Sequence, residues 1–160
     1  MTRILPIALI ALAVCCASCS DDSCTDNGSG VPLAAFYVGD SQQAISRLSI
    51  MGIGAPGDSL LASNATVNEA YLPLRVSATS TSYALWRTST DSTVIVRDTL
   101  TLTYQPVEYF HSIECGAMYN FEVQDISHTT HGIDSVVMLT PLVTNSRTPA
   151  LRIHFTNLTL

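Results

Sequence analysis

One polar segment of the sequence combines histidine and aspartate side chains at a density that could ligate a metal ion. His128 and His131 lie three residues apart, and Asp125 and Asp134 flank them. Imidazole nitrogens and carboxylate oxygens are common ligands of transition metals in proteins. The segment also lies between two predicted strands, where a solvated hairpin loop is the simpler interpretation. We therefore predict no metal site, and a hydrolase or metal site near residues 125–134 is the least favoured alternative.

A glycine-rich stretch from Gly52 to Gly57 matches the G-x-G-x-x-G pattern of dinucleotide-binding loops. That chemistry needs an α-helix to begin directly after the glycines, because the helix N-terminus holds the pyrophosphate. Pro56-Gly57-Asp58 predicts a turn instead, and no amphipathic helix follows. We interpret the stretch as a connection between two strands and predict no cofactor.

The sequence contains no Gly-x-Ser-x-Gly motif, and no spacing selects a catalytic triad or a pair of carboxylates. We therefore predict no catalytic residue and expect the chain not to be an enzyme. An aromatic cluster, Tyr104, Tyr109 and Phe110, surrounds Pro106 and is a candidate binding surface. Exposed aromatic rings stack on sugars or anchor protein partners, although the same rings can also cover the end of a core.

These residues must be positioned by β-strands, because apolar and polar residues alternate along most of the chain from about residue 32. We predict an all-β fold, an antiparallel two-sheet sandwich of immunoglobulin-like type, with a small β-barrel as the alternative. Trp86 is expected in the core, and Pro73 marks an edge or a bulge. Residues 136–139 form a continuous apolar run, which favours a central strand. The other predicted strands include residues 47–50, 71–76, 82–86, 99–105, 117–124 and 151–156.

The N-terminus is typical of a lipoprotein signal peptide. Arg3 precedes an apolar run from Ile4 to Val14 that is too short to span a bilayer. Ala17-Ser18-Cys19 then matches the small residues that precede an acylated cysteine, although Cys16 stands where leucine is usual. We predict a signal peptide at residues 1–18, lipidation of Cys19, a lipidated acidic linker at residues 19–31 and a β-sandwich domain at residues 32–160.

After cleavage and acylation, two of the five cysteines remain, Cys24 and Cys115. An even number of cysteines in an oxidising compartment predicts a disulfide between these two, and the alternative is two free thiols. Such a bridge would pin Cys24 to the domain and leave about five residues before the lipid, which extend to about 17 Å. The domain is therefore expected to lie close to the membrane.

Ser20, Asp21 and Asp22 follow the predicted acylation site and resemble the acidic export tag of surface lipoproteins in Bacteroidota. The alternative is a solvated linker on a lipoprotein that faces the periplasm. Four Asp-(Ser/Thr)-apolar matches are candidates for Bacteroidota O-glycosylation, although the same residue types also suit the entries of strands. The acceptors would be Ser59, Ser92, Thr99 and Ser135.

Several short features follow one another along the chain: Cys24, Leu72-Pro73-Leu74, Asp98-Thr99-Leu100 with its strand to Tyr104, and Glu114-Cys115-Gly116. In this order the mature chain resembles an uncharacterised family of small Bacteroidota lipoproteins, a domain of unknown function. The resemblance implies the lipoprotein class and the disulfide, and it implies no activity. Members of that family are often encoded beside an outer-membrane β-barrel protein, which suggests such a protein as a partner.

Composition limits the remaining function classes. The chain has 160 residues and a net charge of −6, so it lacks the basic field that nucleic acids require. We therefore expect a lipid-anchored protein of the outer membrane, on the cell surface or facing the periplasm, that serves as a non-enzymatic accessory or interaction module for a β-barrel protein. The alternatives are a stand-alone glycan- or surface-binding lipoprotein and a structural subunit of a surface assembly.

Overall fold

The computed structural model describes residues 28–157, with gaps at residues 92 and 114. The predicted signal peptide, Cys19, Ser20, Asp21, Asp22, Cys24 and Ser92 lie outside the described residues. Within them, no helix is long and apolar enough to cross a membrane. The strands are β1 (Leu33–Val38), β2 (Ser41–Gln42), β3 (Ile45–Gly52), β4 (Leu60–Val67), β5 (Glu69–Tyr71), β6 (Ser80–Thr88), β7 (Val94–Ser112), β8 (Gly116–His128), β9 (Ile133–Met138), β10 (Leu142–Val143) and β11 (Leu151–Phe155).

These strands form two sheets, one of which curls into a half-barrel. The five-stranded sheet has the order β2-β1-β11-β9, and β5 also pairs with β1. The six-stranded sheet has the order β10-β8-β7-β6-β3-β4. Strands β1 and β11 run parallel, whereas the other pairings between described strands are antiparallel. The predicted all-β class is confirmed, since both a sandwich and a small barrel fit this architecture.

The core lies between the two sheets and follows the predicted alternation. In β11, Leu151 and Ile153 are buried and Arg152 between them is exposed. The rings of Phe36 in β1 and Phe155 in β11 meet edge to face, with their centroids 5.5 Å apart. Such pairs add a directional contribution to the burial of apolar area. Other buried members of this core are Leu48, Ile50, Leu72, Tyr83, Leu85, Leu100, Leu102, Tyr104, Phe121 and Val123.

The predicted strand over residues 71–76 is wrong, because β5 ends at Tyr71 and irregular chain follows. This segment carries the chain from β5 in one sheet to β6 in the other. Pro73 cannot donate a hydrogen bond to a strand ladder. Its carbonyl oxygen instead accepts a hydrogen bond from the Tyr83 hydroxyl at 2.5 Å, while Leu72 remains fully buried.

Two further expectations about burial are also wrong. Residues 136–138 of the run end β9, which lies at an edge of its sheet, and Leu139 follows the strand. Val137 and Leu139 are both exposed. Trp86 is half-buried and carries the Arg97 guanidinium 5.5 Å from its ring centroid. Side chains alternate along a strand, and Leu85 next to Trp86 takes the position that faces the core.

The glycine-rich stretch is a strand connection, as predicted. It joins β3 to β4 and contains a short 3-10 turn at Pro56–Asp58. No α-helix begins after its glycines, so the loop lacks the helix N-terminus that a dinucleotide-binding loop uses.

Candidate functional site

The hairpin of β7 and β8 extends past the rest of its sheet. Strand β7 pairs with β6 only as far as Thr103, whereas its pairing with β8 continues to Ser112. Pro106 lies in this extension. There β7 pairs with β8 on one side, and no described strand pairs with it on the other side. A proline is tolerated at such an edge because no ladder partner needs its missing N–H.

The extension presents apolar side chains to solvent. Phe110 is 70% exposed and Ile113, in the turn, is 88% exposed. Val107 is also exposed, but it lies on the opposite face of the hairpin from Phe110, so Phe110 and Ile113 alone are called the hairpin surface below. Phe110 pairs with Ala117, four pairs along the ladder from the buried Phe121, and this even spacing places Phe110 on the same face of the hairpin as Phe121. The face that covers the core therefore continues past the core and leaves Phe110 uncovered.

The predicted aromatic cluster is divided by the structure. Tyr104 is fully buried, so its assignment to an exposed binding surface is wrong. Its hydroxyl accepts a hydrogen bond from the Arg75 amide and donates one to the Arg75 carbonyl oxygen, both at 2.9 Å. Tyr109 is half-buried, and its hydroxyl donates to the Gly28 carbonyl oxygen at 2.6 Å. Of the three predicted residues, Phe110 remains available to a partner, and Ile113 was not predicted because no periodic pattern marks a turn.

The first described residues pack along β8, beside the hairpin. The Gly30 amide donates to the Tyr119 carbonyl oxygen at 2.7 Å, and the Tyr119 amide donates to the Ser29 hydroxyl at 3.2 Å. A Cβ atom at Gly30 would lie 2.5 Å from the Val143 carbonyl oxygen, so the close approach requires glycine here. The end of the predicted linker is therefore attached to the domain.

The predicted histidine and aspartate segment is divided as well. His128 ends β8 and His131 lies in the loop before β9, whereas Asp125 and Asp134 are exposed on those two strands. In the described part of the chain, no group of three or more histidine, cysteine, aspartate or glutamate side chains could hold a metal ion. The loop instead converges on a residue of β7.

That residue is Asp98, whose carboxylate is 3% exposed. One oxygen, Oδ2, accepts hydrogen bonds from the amides of Gly132 and Ile133 at 2.7 and 3.0 Å. The other, Oδ1, accepts from the Thr129 hydroxyl at 2.7 Å and from the His131 amide at 2.8 Å. The His131 Nδ1 lies 3.1 Å from the same oxygen, on a ring that is 68% exposed.

Burial raises the pKa of Asp98, but the hydrogen bonds from the β8–β9 loop outweigh burial and hold the pKa below its ordinary value. Each oxygen is already surrounded by donors, so the carboxylate stabilises the loop and has little capacity left as a general base. From the sequence, Asp98 was expected to open a strand and to precede a candidate glycosylation acceptor, and no buried role was predicted for it. The alternation along β7 could have revealed it, because Asp98 lies on the same face of the strand as the buried Leu100 and Leu102. A carboxylate on the face directed at the core must find hydrogen-bond donors.

The candidate glycosylation acceptors differ in accessibility. Ser59 is exposed before β4, whereas Thr99 and Ser135 are half-buried within β7 and β9. Asp98, the acid of the Asp98-Thr99-Leu100 match, is occupied by the β8–β9 loop. The structure therefore accounts for this match without modification, and glycosylation of the other acceptors stays a prediction.

Comparison with known protein families gives one finding. A model of a family of unknown function, DUF6452, matches residues 47–155. The matched range begins in β3 and ends with β11, so it includes the hairpin surface and the Asp98 site. Comparisons with curated proteins and with solved structures give no match.

We expect Asp98→Asn to lower the free energy of unfolding at neutral pH by about 3 kcal/mol, because an amide nitrogen would face backbone donors in a buried site. The pKa of Asp98 is lower in the folded chain than in the unfolded chain. As pH falls below about 3.9, the unfolded chain therefore binds a proton at this carboxylate before the folded chain does. The wild type then loses this stabilisation as pH falls through the folded pKa, and the variant lacks this contribution to the pH dependence. Urea unfolding at several pH values measures both effects.

Asp125→Asn, on an exposed residue of β8, is the matched control and should change neither the stability nor its pH dependence appreciably. Equal unfolding free energies for Asp98→Asn and Asp125→Asn at neutral pH would contradict the structural role of Asp98.

Proposed function

Because the chain belongs to DUF6452, a family of unknown function, we propose its role from its own residues. It is a lipid-anchored, non-enzymatic interaction module of the outer membrane, displayed at the cell surface, whose hairpin surface binds an outer-membrane β-barrel protein. The observation that carries this proposal is the exposure of Phe110 and Ile113 on a hairpin that projects past its sheet.

Exposed apolar side chains on a protein of low charge content are costly unless a partner covers them. Val107, Phe110 and Ile113 lie within one hairpin, whereas Asp98 and Tyr104 of the same strand are buried. Large apolar side chains that fill a partner's pocket contribute most to binding at protein interfaces. The edge of β7 beyond Tyr104 offers backbone groups to the same partner, since no described strand occupies it.

The position of the N-terminal segment supports anchoring near this surface. Gly28 and Ser29 contact the hairpin at Tyr109 and Met118. Gly28 lies nine positions after Cys19, and an extended chain over nine positions spans about 30 Å. A lipid on Cys19 would therefore emerge beside the hairpin and hold it within reach of a protein embedded in the same membrane.

The course of residues 28–30 along the hairpin also supports a disulfide between Cys24 and Cys115. Gly30 contacts Tyr119, Ser29 contacts Met118 and Gly28 contacts Tyr109, so the chain traced backwards from Gly30 runs along the hairpin towards the turn that contains Cys115. Cys115 lies in the turn between β7 and β8. Cys24 lies four positions before Gly28, and an extended chain over four positions spans about 13 Å, which would bring Cys24 within reach of the turn.

The glycan-binding alternative loses one of its two remaining aromatic residues, because the Tyr109 hydroxyl is bonded to Gly28 and its ring is half-buried. Phe110 alone is a small platform for a sugar ring. The structural-subunit alternative draws support from the open edge of β7, which could accept a strand from another chain.

We expect Cys19→Ser to abolish incorporation of labelled palmitate and to move the chain from the membrane fraction to the soluble fraction of cells. One diacyl anchor is enough to retain a protein on a membrane, so its loss should release the domain. Cys15→Ser is the matched control, because that residue would also leave with the signal peptide and lies outside the match that precedes Cys19. Palmitate labelling that survives in Cys19→Ser would contradict the assignment of the lipid to this residue.

Intact mass spectrometry of the purified, unfolded chain tests the disulfide. After thiol alkylation, the mature chain should gain two labels only if it has first been reduced. Cys115→Ser should gain one label with or without reduction, because Cys24 would have lost its partner. Equal masses of the wild type with and without reduction would exclude the bridge.

Phe110→Ser combined with Ile113→Ser should remove the cross-link to a β-barrel protein in native cells, with little change in folding because both side chains are exposed. Quantitative mass spectrometry of the tagged, cross-linked chain measures the yield. Val137→Ser combined with Leu139→Ser removes exposed apolar side chains elsewhere and should leave the yield unchanged. An equal yield from both double variants would show that the hairpin surface does not carry the interaction.

A further inference from the structure

A cavity of about 210 Å³ opens between the β3–β4 loop and the segment that follows β5. For comparison, an apolar protein cavity of about 150 Å³ accepts benzene. The walls of the present cavity are largely apolar, so they favour a hydrocarbon group over a sugar or a nucleotide. They include Ile53, Leu61, Pro73, Leu74 and the ring of Tyr83.

Arg75 supplies a cation at this cavity. Arg75 and Gly54 both line the cavity, and the Arg75 Nη1 lies 4.0 Å from the position that a Cβ atom of Gly54 would occupy. The described residues contain no carboxylate in an ion pair with Arg75. A guanidinium with its donors open beside apolar walls is suited to a bound anion.

The backbone of Arg75 is held in place from the core. The buried Tyr104 hydroxyl bonds to both the amide and the carbonyl oxygen of Arg75, and it is itself bonded to the Thr81 hydroxyl at 2.8 Å. Across the cavity wall, the Tyr83 hydroxyl is committed to the Pro73 carbonyl oxygen. The cavity therefore has fixed walls, and the guanidinium projects from a fixed point.

We propose that this cavity binds a small carboxylic acid whose apolar body is about the size of one aromatic ring, with its carboxylate on the guanidinium of Arg75. The planar guanidinium fork matches the two oxygens of a carboxylate. A phosphate dianion would need further donors, and Arg75 is the one cationic side chain among the residues that line the cavity. The proposal uses none of the residues of the hairpin surface and does not depend on the lipid anchor.

Phenylacetate and its neutral isostere phenylacetamide are suitable probes, because they differ mainly in charge. Isothermal titration of the purified full chain should show saturable binding of phenylacetate, about tenfold or more tighter than that of phenylacetamide, since a charged hydrogen-bonded contact is lost in the amide. Amide chemical shifts in a nuclear magnetic resonance titration should change at Gly52, Gly54 and Ala55, which line the cavity.

Arg75→Gln should remove the preference for the acid over the amide while leaving the fold intact, because the side chain is exposed. Arg147→Gln makes the same change of charge in the exposed loop before β11 and should retain the preference. Absence of saturable phenylacetate binding, equal affinity for acid and amide in the wild type, or shifts located away from the glycine-rich loop would each overturn the proposal. So would an Arg75→Gln variant that still prefers the acid.

Discussion

The parallel pairing of β1 with β11 holds the five-stranded sheet together, because it joins the β9–β11 pair to β1, β2 and β5. It brings together residues that are more than a hundred positions apart, such as Ala34 and Leu151. The core depends on this contact, since Phe36 and Phe155 complete one of its walls. Closing so large a loop costs conformational entropy, which only the joint burial of both strands repays. The contact also fixes where the segment before β1 leaves the domain.

Strand β7 connects the features that bear on function. Along its length it carries Asp98, which binds the β8–β9 loop, then Tyr104, which positions Arg75, and finally Phe110 at the projecting end. The strand changes role beyond Thr103, where its pairing with β6 stops, because its neighbours change there and its composition does not. A partner at the projecting end would therefore bind an element that is rooted in the core, which favours a rigid docking element over a mobile loop.

Buried polar groups in this domain are used to hold irregular segments in place. The Asp98 carboxylate accepts hydrogen bonds from the loop of residues 129–133. The Tyr104 hydroxyl donates a hydrogen bond to Arg75, in the segment that joins β5 to β6. In each case the polar group satisfies backbone amides or carbonyls that no strand ladder satisfies. The close approach at Gly132 shows how tight this arrangement is, since a Cβ atom there would lie 2.8 Å from Val96 Cγ2.

The sequence alone determined the all-β class and the alternation that buries Leu100, Leu102, Leu151 and Ile153, because side chains alternate between the two faces of any strand. It could not determine which strands are neighbours. For that reason the apolar run at residues 136–139 was expected to be central although it lies at an edge, and Tyr104 was grouped with Phe110 although the first is buried and the second exposed.

Which strands pair is decided by contacts between residues that are far apart in the sequence, and the local spacing of apolar residues does not predict these contacts. The tertiary structure alone decided that the pairing of β7 with β6 stops at Thr103, that Asp98 meets the amides of residues 131–133, and that Arg75 lines a cavity beside Gly54. Each of these depends on how two sheets pack, and therefore on the whole chain at once.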